Sequence, residues 1–166
     1  MIKLLNGTDL NKFTPREYIV ADSDKMSIQK IKDFESKASK KPNFTINTLS
    51  RSRKVGQSYI TSIFTTLLAI LNAIPLIFKI KPELLLVNGP GTCIPCCMIT
   101  RILYFSESLR LIPKCKIVFV ESMCRVKNLS LSGRILYYLN ITDAFFVQWE
   151  ILQKRYPKTI HMGRLV

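Results

Sequence analysis

The residues best placed to bind a ligand form one short turn, from Asn88 to Thr92, with the sequence Asn-Gly-Pro-Gly-Thr. The branched apolar run 84–87 before it predicts a strand buried on both faces, and the apolar run 93–105 after it predicts a packed helix. Glycine lets the backbone approach a ligand, and the unpaired N–H groups of a first helical turn attract anions. The turn therefore predicts a phosphate site. A tight turn without a ligand is the alternative, since the G-K-[ST] ending of a P-loop is absent.

A carboxylate and a hydroxyl, Glu121 and Ser122, close the next apolar strand, which begins at Lys116. Predicted strands alternate with predicted helices along the chain, which is the pattern of a parallel α/β sheet. In such sheets ligands bind at the carboxyl ends of the strands. We therefore expect the glycine turn and these two polar residues to lie at one sheet edge and to form one binding site.

The remaining elements follow from periodicity and from turn residues. Strands are predicted at 17–21, 44–49, 144–148 and 159–162, and helices at 28–38 and 129–139. Ser27 is the expected N-cap of the first of these helices, because it directly precedes an apolar stripe that starts at Ile28.

The 166-residue chain is strongly basic, with 25 Lys and Arg against 11 Asp and Glu and a net charge of +14. This charge predicts an anionic partner, which could be nucleic acid, an anionic membrane face or a phosphate-bearing substrate. Hydrophobic residues make up 48% of the chain, which excludes a disordered protein and favours the membrane face. Arg51, Arg53 and Lys54 crowd one loop, where we expect them to hold phosphates or lipid headgroups. A solvated surface loop is the alternative.

One uncharged apolar segment, 60–78, is close to the roughly 20 residues that a bilayer-spanning helix needs. Several Thr and Ser residues dilute it, and Pro75 would bend a helix. We therefore expect a membrane-facing helix over 59–80, packed partly on the sheet and partly on the membrane surface, with Lys79 and Lys81 at the headgroups. A full membrane span is the alternative.

The chain has five cysteines, and three of them, Cys93, Cys96 and Cys97, crowd one predicted helix start. An odd number in this arrangement argues against a disulfide framework and for a reducing compartment. Cys93 and Cys96 match C-x-x-C, but no second pair has zinc spacing. Small buried helix residues are the better explanation. We predict no metal and no cofactor in this chain.

Five stretches taken together resemble one protein family. They are VADSDKMS at 20–27, RSRKVGQSY at 51–59, LVNGPGTCIP at 86–95, IVFVESMCRVKNLSLSG at 117–133 and FVQW at 146–149. The family is the membrane-anchoring subunit of the endoplasmic-reticulum N-acetylglucosaminyltransferase that makes the second sugar addition on dolichyl pyrophosphate. The resemblance covers nearly the whole chain.

The resemblance implies a single Rossmann-like domain over 1–166, similar to the N-terminal, acceptor-side half of a GT-B glycosyltransferase. It implies that this chain carries no catalytic residue and is not catalytic alone. A separate catalytic subunit would hold UDP-N-acetylglucosamine. The chain would recruit that subunit to the cytosolic face of the endoplasmic-reticulum membrane and present the acceptor, dolichyl-pyrophosphate-linked N-acetylglucosamine.

The start of the sequence departs from the family pattern. Family members carry an N-terminal hydrophobic anchor and a first strand that ends in a Gly-Ser-Gly-Gly-His-type loop, whereas this sequence begins after that loop. Its only histidine, His161, is near the other end. We therefore expect the first strand and the Gly-rich loop to be missing, as in an N-terminally truncated form, which would expose neighbouring strand edges.

Within the family, the candidate residues take specific roles. The expected acceptor-pyrophosphate ligands are Asn88, Gly89, Gly91 and Thr92; the expected acceptor-sugar contacts are Glu121 and Ser122; the expected headgroup and phosphate clamp is Arg51, Arg53, Lys54, Arg125 and Lys127; and the expected docking residues for the catalytic subunit are Gly163, Arg164, Leu165 and Val166. For Glu121 the alternative is a structural role, as a cap or as an ion pair that closes the helix at Ser130. For Trp149 we expect a role in capping the core.

Two other functions stay open. A basic nucleic-acid-binding α/β module would use the charge and the 10% aromatic residues. No recognised nucleic-acid motif is present, and the cations are interleaved with core strands, so we predict no nucleic-acid partner. A purely structural membrane adaptor would make no contact with substrate and would tolerate neutral substitutions at the strand-end edge.

Overall fold

The computed structural model describes residues 2–38, 42–50, 59–89, 91–105 and 114–163. The chain divides into two compact units, Met1–Arg51 and Ser52–Val166, and each is described by itself. The expectation that residues 1–166 form a single domain stays a prediction.

The first unit is a β-α-β arrangement. Its elements are α1 (Ile2–Leu5), a short 3-10 helix (Leu10–Lys12), β1 (Arg16–Ala21), α2 (Lys25–Ala38) and β2 (Phe44–Leu49). The two strands pair in parallel along their full length, and parallel neighbours need a crossover, which α2 supplies. Its core contains Val20, Ile31, Phe34 and Leu49, all of which are buried.

The start of α2 corrects one prediction. The helix begins at Lys25, so Ser27 lies inside its first turn and is not its cap. Asp24 precedes the helix, and its carboxylate accepts hydrogen bonds from Ser27 N at 3.1 Å and from Ser27 Oγ at 2.7 Å. A carboxylate here satisfies a free N–H group and also matches the positive end of the helix dipole, which makes Asp24 the stronger cap.

A buried ion pair connects α2 to β1. Glu35 has no exposed surface, and its carboxylate accepts from Arg16 Nε at 2.7 Å, from Arg16 Nη2 at 2.6 Å and from Tyr18 Oη at 2.6 Å. The hydrogen bonds from Arg16 lower the pKa of Glu35, whereas burial and the neighbouring carboxylate raise the pKa of Tyr18. Arg16 Nη1 also donates to the carbonyls of Leu10 and Phe13, so each of the three groups is hydrogen-bonded.

The second unit is a parallel sheet with connecting helices. Its elements are α3 (Tyr59–Ile80), β3 (Leu84–Asn88), α4 (Cys93–Phe105), β4 (Lys116–Val120), α5 (Leu131–Tyr138), β5 (Ala144–Val147), α6 (Glu150–Arg155) and β6 (Ile160–His161). The strand order is β3-β4-β5-β6, and all neighbours are parallel. The predicted α/β class with a Rossmann-like alternation of strands and helices is confirmed.

The sequence pattern did not show how the strands are distributed. Among the described residues they form two parallel sheets, β1-β2 in the first unit and β3 to β6 in the second. Alternation of strands and helices indicates parallel pairing, but it does not determine which strands are neighbours, because pairing depends on contacts distant in sequence.

The core of the second unit lies around β4. Ile117, Phe119 and Val120 are almost fully buried there, and the ring of Phe119 lies 4.7 Å from that of Phe145 on β5. Central strands of a parallel sheet are covered on both faces, which explains why this strand is apolar throughout.

Helix α3 has two apolar sides. Ala69, Ala73 and Ile77 are buried at four-residue spacing, and the helix packs against α4. Leu67, Leu68 and Leu71, in contrast, are 52–60% exposed. Across the described part of the chain, no helix has the length and apolar character needed to cross a membrane.

Candidate functional site

A cleft of about 490 Å³ lies at the carboxyl edge of β3 and β4. It is lined by Asn88, Gly89, Glu121, Ser122, Cys124, Arg125 and Ser130. Asn88 pairs with Val120 in the β3–β4 register, so the residue that follows each strand emerges at the same edge. The structure therefore brings together the two loops that the alternation of strands and helices predicted to meet.

The glycine turn has the backbone that its composition predicts. Gly89 has φ +74°, a left-handed conformation that side chains with a Cβ rarely adopt. The space around Gly91 is open, with nothing within 4 Å of the position of a Cβ atom. Helix α4 begins at Cys93, directly after Thr92. Asn88 and Gly89 line the cleft, whereas Gly91 and Thr92 are not among its lining residues, and their contact with a ligand stays a prediction. Pro90 lies outside the described residues.

Glu121 is fully buried beneath this edge. Its Oε1 accepts from Ser122 N at 2.8 Å, and its Oε2 accepts from Ser130 N at 2.9 Å and from Ser130 Oγ at 3.0 Å. The carboxylate therefore closes both ends of the loop 122–129, which is the structural alternative considered for it. The bonds come from N–H and O–H groups rather than from a cation. Contact with a sugar stays a prediction.

The structure requires a glycine at position 133, and the sequence did not predict this requirement. Ser130 caps α5 by accepting from Gly133 N at 2.9 Å, and this brings Gly133 against the carboxylate. A Cβ atom on Gly133 would collide with Glu121 Oε2 and would lie 3.1 Å from Ser130 Oγ. A glycine three residues after a capping serine, inside a helix, is the signal that could have revealed a close approach.

Two side chains from the α6 region fasten the loop 122–129. Trp149 Nε1 donates to Met123 O at 2.8 Å, and Arg155 Nη1 donates to Lys127 O at 3.2 Å. Of the two cations predicted on this loop, Arg125 lines the cleft, and Lys127 is exposed further along. Trp149 is only partly exposed, and the hydrogen bond from its indole N–H holds the backbone of the loop at Met123 in place.

Six of the predicted site residues belong to two segments outside the described part of the chain. Arg51, Arg53 and Lys54 of the clamp, and Arg164, Leu165 and Val166 of the docking segment, lie outside the described residues. Gly163 is described; it is exposed and has φ +79°. The roles of all these residues stay predictions.

The cysteines fall into two classes. Burial raises the pKa of Cys93 to about 11, of Cys96 to about 12 and of Cys115 to about 11, and it raises the pKa of Cys97 well above its usual value. These four thiols therefore stay protonated near neutral pH. Cys124 is exposed and lines the cleft.

The parallel sheet of the second unit, with helices between its strands and a cleft at the strand ends, is Rossmann-like. A family model described as "Oligosaccharide biosynthesis protein Alg14 like" matches residues 1–165, and the chain belongs to this family. The family resemblance that the sequence motifs indicated is confirmed.

Curated relatives carry the name "UDP-N-acetylglucosamine transferase subunit ALG14". The Homo sapiens protein is 43% identical over 172 residues, which cover 100% of this chain and 76% of the human protein. The Candida albicans protein is 37% identical over 100% of this chain and 72% of its own length. The Schizosaccharomyces pombe protein is 36% identical over 98% of this chain and 75% of its own length. No solved structure matches the chain.

Proposed function

We propose that this chain is the acceptor-side subunit of a UDP-N-acetylglucosamine-dependent transferase. It presents dolichyl-pyrophosphate-linked N-acetylglucosamine to a separate catalytic subunit, which holds the nucleotide sugar and adds the second N-acetylglucosamine. Membership of an oligosaccharide biosynthesis family and the name of its relatives as transferase subunits support this proposal. The chain by itself is not catalytic.

One observation carries the acceptor assignment: the start of the glycine turn (Asn88 and Gly89), the β4 strand end and Arg125 line the same cleft. A pyrophosphate needs several donors at once. In this proposal the positive end of α4 attracts the pyrophosphate, and the Arg125 guanidinium offers a charged fork. The cleft volume of about 490 Å³ suits a sugar diphosphate headgroup.

The sugar contact rests more on Ser122 than on Glu121. Three acceptor positions of the Glu121 carboxylate are already occupied. Ser122 Oγ accepts from Cys124 N at 3.3 Å and can still donate its own proton to a sugar oxygen. Glu121 then acts on the sugar through the loop that it holds in place.

Helix α3 contacts the cytosolic face of the endoplasmic-reticulum membrane in this proposal. Its exposed leucines, Leu67, Leu68 and Leu71, would enter the interface, and the exposed Lys79 and Lys81 would meet headgroups. Each cation near an anionic surface contributes about 1 kcal/mol. Arg51, Arg53 and Lys54 join this clamp, and the segment from Gly163 to Val166 docks the catalytic subunit.

The test is acceptor kinetics of the membrane-bound, partnered enzyme carrying Gly91→Val. Because a Cβ atom at Gly91 meets nothing, the variant should fold, while its side chain obstructs backbone contact with the pyrophosphate. We expect the KM for the lipid-linked acceptor to rise about tenfold or more, which corresponds to roughly 1.4 kcal/mol. The KM for UDP-N-acetylglucosamine should stay unchanged, because the partner binds it.

Gly7→Val is the matched control, since Gly7 is also exposed with open space around its Cβ position. It should leave both KM values unaltered. Normal acceptor kinetics in Gly91→Val would mean that the turn is only structural and would favour an adaptor that never touches the acceptor.

A further inference from the structure

A second cleft, of about 420 Å³, lies on the face formed by α5 and the end of α6. It is lined by Arg134, Tyr137, Tyr138, Arg155 and Tyr156. None of these residues lines the first cleft, and only Arg155 touches its loop, through one hydrogen bond to Lys127 O. Three tyrosine and two arginine side chains therefore surround one cavity, which makes it a candidate binding site.

The aromatic floor of this cleft is fixed in place. The ring of Tyr137 makes edge-to-face contacts with Tyr156 at 5.3 Å and with Phe145 at 6.0 Å, and both of those residues are buried. Tyr138 meets Tyr137 at 5.4 Å, yet it is 72% exposed. An exposed ring held by a packed neighbour offers contact area at a low entropic cost, as binding sites require.

The two cations of the cleft have no anionic partner among the described residues. Within the described part of the chain, neither Arg134 nor Arg155 forms an ion pair. Glu150, the one acidic residue of α6, pairs with Lys154 at 2.9 Å. Toward the described residues, Arg155 donates one side-chain hydrogen bond, from Nη1 to Lys127 O, so other N–H groups of the guanidinium can reach a ligand.

Exposed apolar side chains flank the cations. Leu131 is 55% exposed, one turn before Arg134 on α5, and Ile151 is 57% exposed, one turn before Arg155 on α6. Arginine and tyrosine beside apolar contacts are the composition of protein interface centres. Anionic lipid headgroups are usually bound by clusters of about four to eight cations, whereas two cations line this cleft. The guanidinium fork matches a carboxylate in two-point geometry.

We propose that this Arg/Tyr cleft binds an acidic segment of a partner protein. Aspartate or glutamate carboxylates of that segment pair with Arg134 and Arg155, and an apolar side chain between them rests on Tyr138 and Leu131. This proposal is independent of the acceptor site, because different residues line the two clefts. The Arg/Tyr cleft would be present even if the chain bound no lipid-linked sugar.

Peptide binding to the full-length protein, purified in detergent, tests the proposal. The probe is a fluorescein-labelled peptide of alternating glutamate and leucine, followed by fluorescence anisotropy. The double variant Arg134→Gln, Arg155→Gln should weaken binding about tenfold or more, as expected for two charge-assisted pairs. The matched control Lys114→Gln, Lys158→Gln removes the same charge from exposed residues outside the cleft and should bind nearly as the unmodified protein does.

A charge reversal sharpens the test. The variant Arg134→Glu, Arg155→Glu should lose the acidic peptide and gain a peptide of alternating lysine and leucine. Equal weakening in the matched control would show a diffuse charge effect and overturn the proposal. The proposal also fails if the acidic peptide does not bind. It fails as well if binding of inorganic pyrophosphate or of phosphatidylglycerol vesicles requires these arginines while binding of the peptide does not.

Discussion

Two buried carboxylates, one in each unit, are held in different ways. Glu35 and Glu121 both have no exposed surface, and each accepts three hydrogen bonds. The partners of Glu35 are an arginine and a tyrosine side chain. The partners of Glu121 are two backbone N–H groups and one hydroxyl, and in the described residues no cation pairs with it.

This difference in partners indicates two roles. Glu35 stabilises the first unit, whereas Glu121 positions the residues of the candidate site. The Arg16 guanidinium neutralises Glu35, so the pair only joins two elements of the first unit. Glu121 binds the first and last parts of a loop and the start of α5, so it determines where Ser122 and Arg125 lie around the cleft. The predictions below separate the two roles.

The largest expected effect is that of Glu35→Gln. The amide leaves the Arg16 charge, whose side chain is only 11% exposed, without an anionic partner. Breaking a buried pair in this way costs roughly 3–5 kcal/mol. Hydrogen exchange of the β1 and β2 amides should accelerate accordingly, while the amides of β4 stay protected. Asp33→Asn, an exposed change on the same helix, is the control, and a similar loss there would refute the buried-pair explanation.

Gly133→Ala should be the next most damaging change. Overpacking costs about 1–3 kcal/mol, and displacing Glu121 from Ser130 costs about the same again, whereas the better helix propensity of alanine returns only about 1 kcal/mol. A net loss of roughly 3 kcal/mol is expected in thermal or urea unfolding, followed through the single tryptophan, Trp149. Gly7→Ala, where a Cβ meets nothing, should be close to neutral. Stability unchanged by Gly133→Ala would contradict the close contact.

Glu121→Gln tests the site-shaping role with a smaller change. The amide keeps the size of the side chain but turns an NH2 group toward one N–H donor, which costs about 2 kcal/mol. Turnover of the partnered enzyme should fall because Ser122 and the loop shift. Glu150→Gln, an exposed carboxylate of α6, should change neither stability nor turnover appreciably. Unchanged turnover in Glu121→Gln would count against any contact with the acceptor.

Acid should weaken the first unit through Glu35. Its folded pKa is lowered by Arg16, so its contribution is complete above the unfolded value near 4.3 and is lost as the pH falls through the folded pKa. Protection of the β1 and β2 amides should therefore decline below about pH 4.5, by about 1.4 kcal/mol for each unit by which the pKa is lowered. In Glu35→Gln the decline should be absent, and its persistence there would assign the effect to other groups.

The sequence was sufficient for features with a local cause. Apolar runs and turn residues predicted β2 at 44–49 and the β3–α4 turn, and the alternation of strands and helices brought Glu121 next to Asn88. It was insufficient where distant residues meet. Glu35 is 19 residues from Arg16 and 17 from Tyr18, and no spacing rule links them. The need for a glycine at 133 depends on a carboxylate that approaches from another element.

The most direct test of the acceptor cleft uses Cys124, the exposed thiol that lines it. Maleimide labelling of this residue is followed by peptide mass spectrometry in the partnered, membrane-bound complex. The raised pKa of Cys93, Cys96, Cys97 and Cys115 keeps those thiols slow to react.

With the site nine-tenths occupied by dolichyl-pyrophosphate-linked N-acetylglucosamine, labelling of Cys124 should slow about tenfold, because only the unoccupied fraction reacts. UDP-N-acetylglucosamine alone should give no protection. A labelling rate that stays the same at acceptor concentrations saturating for turnover would contradict the assignment of this cleft to the acceptor.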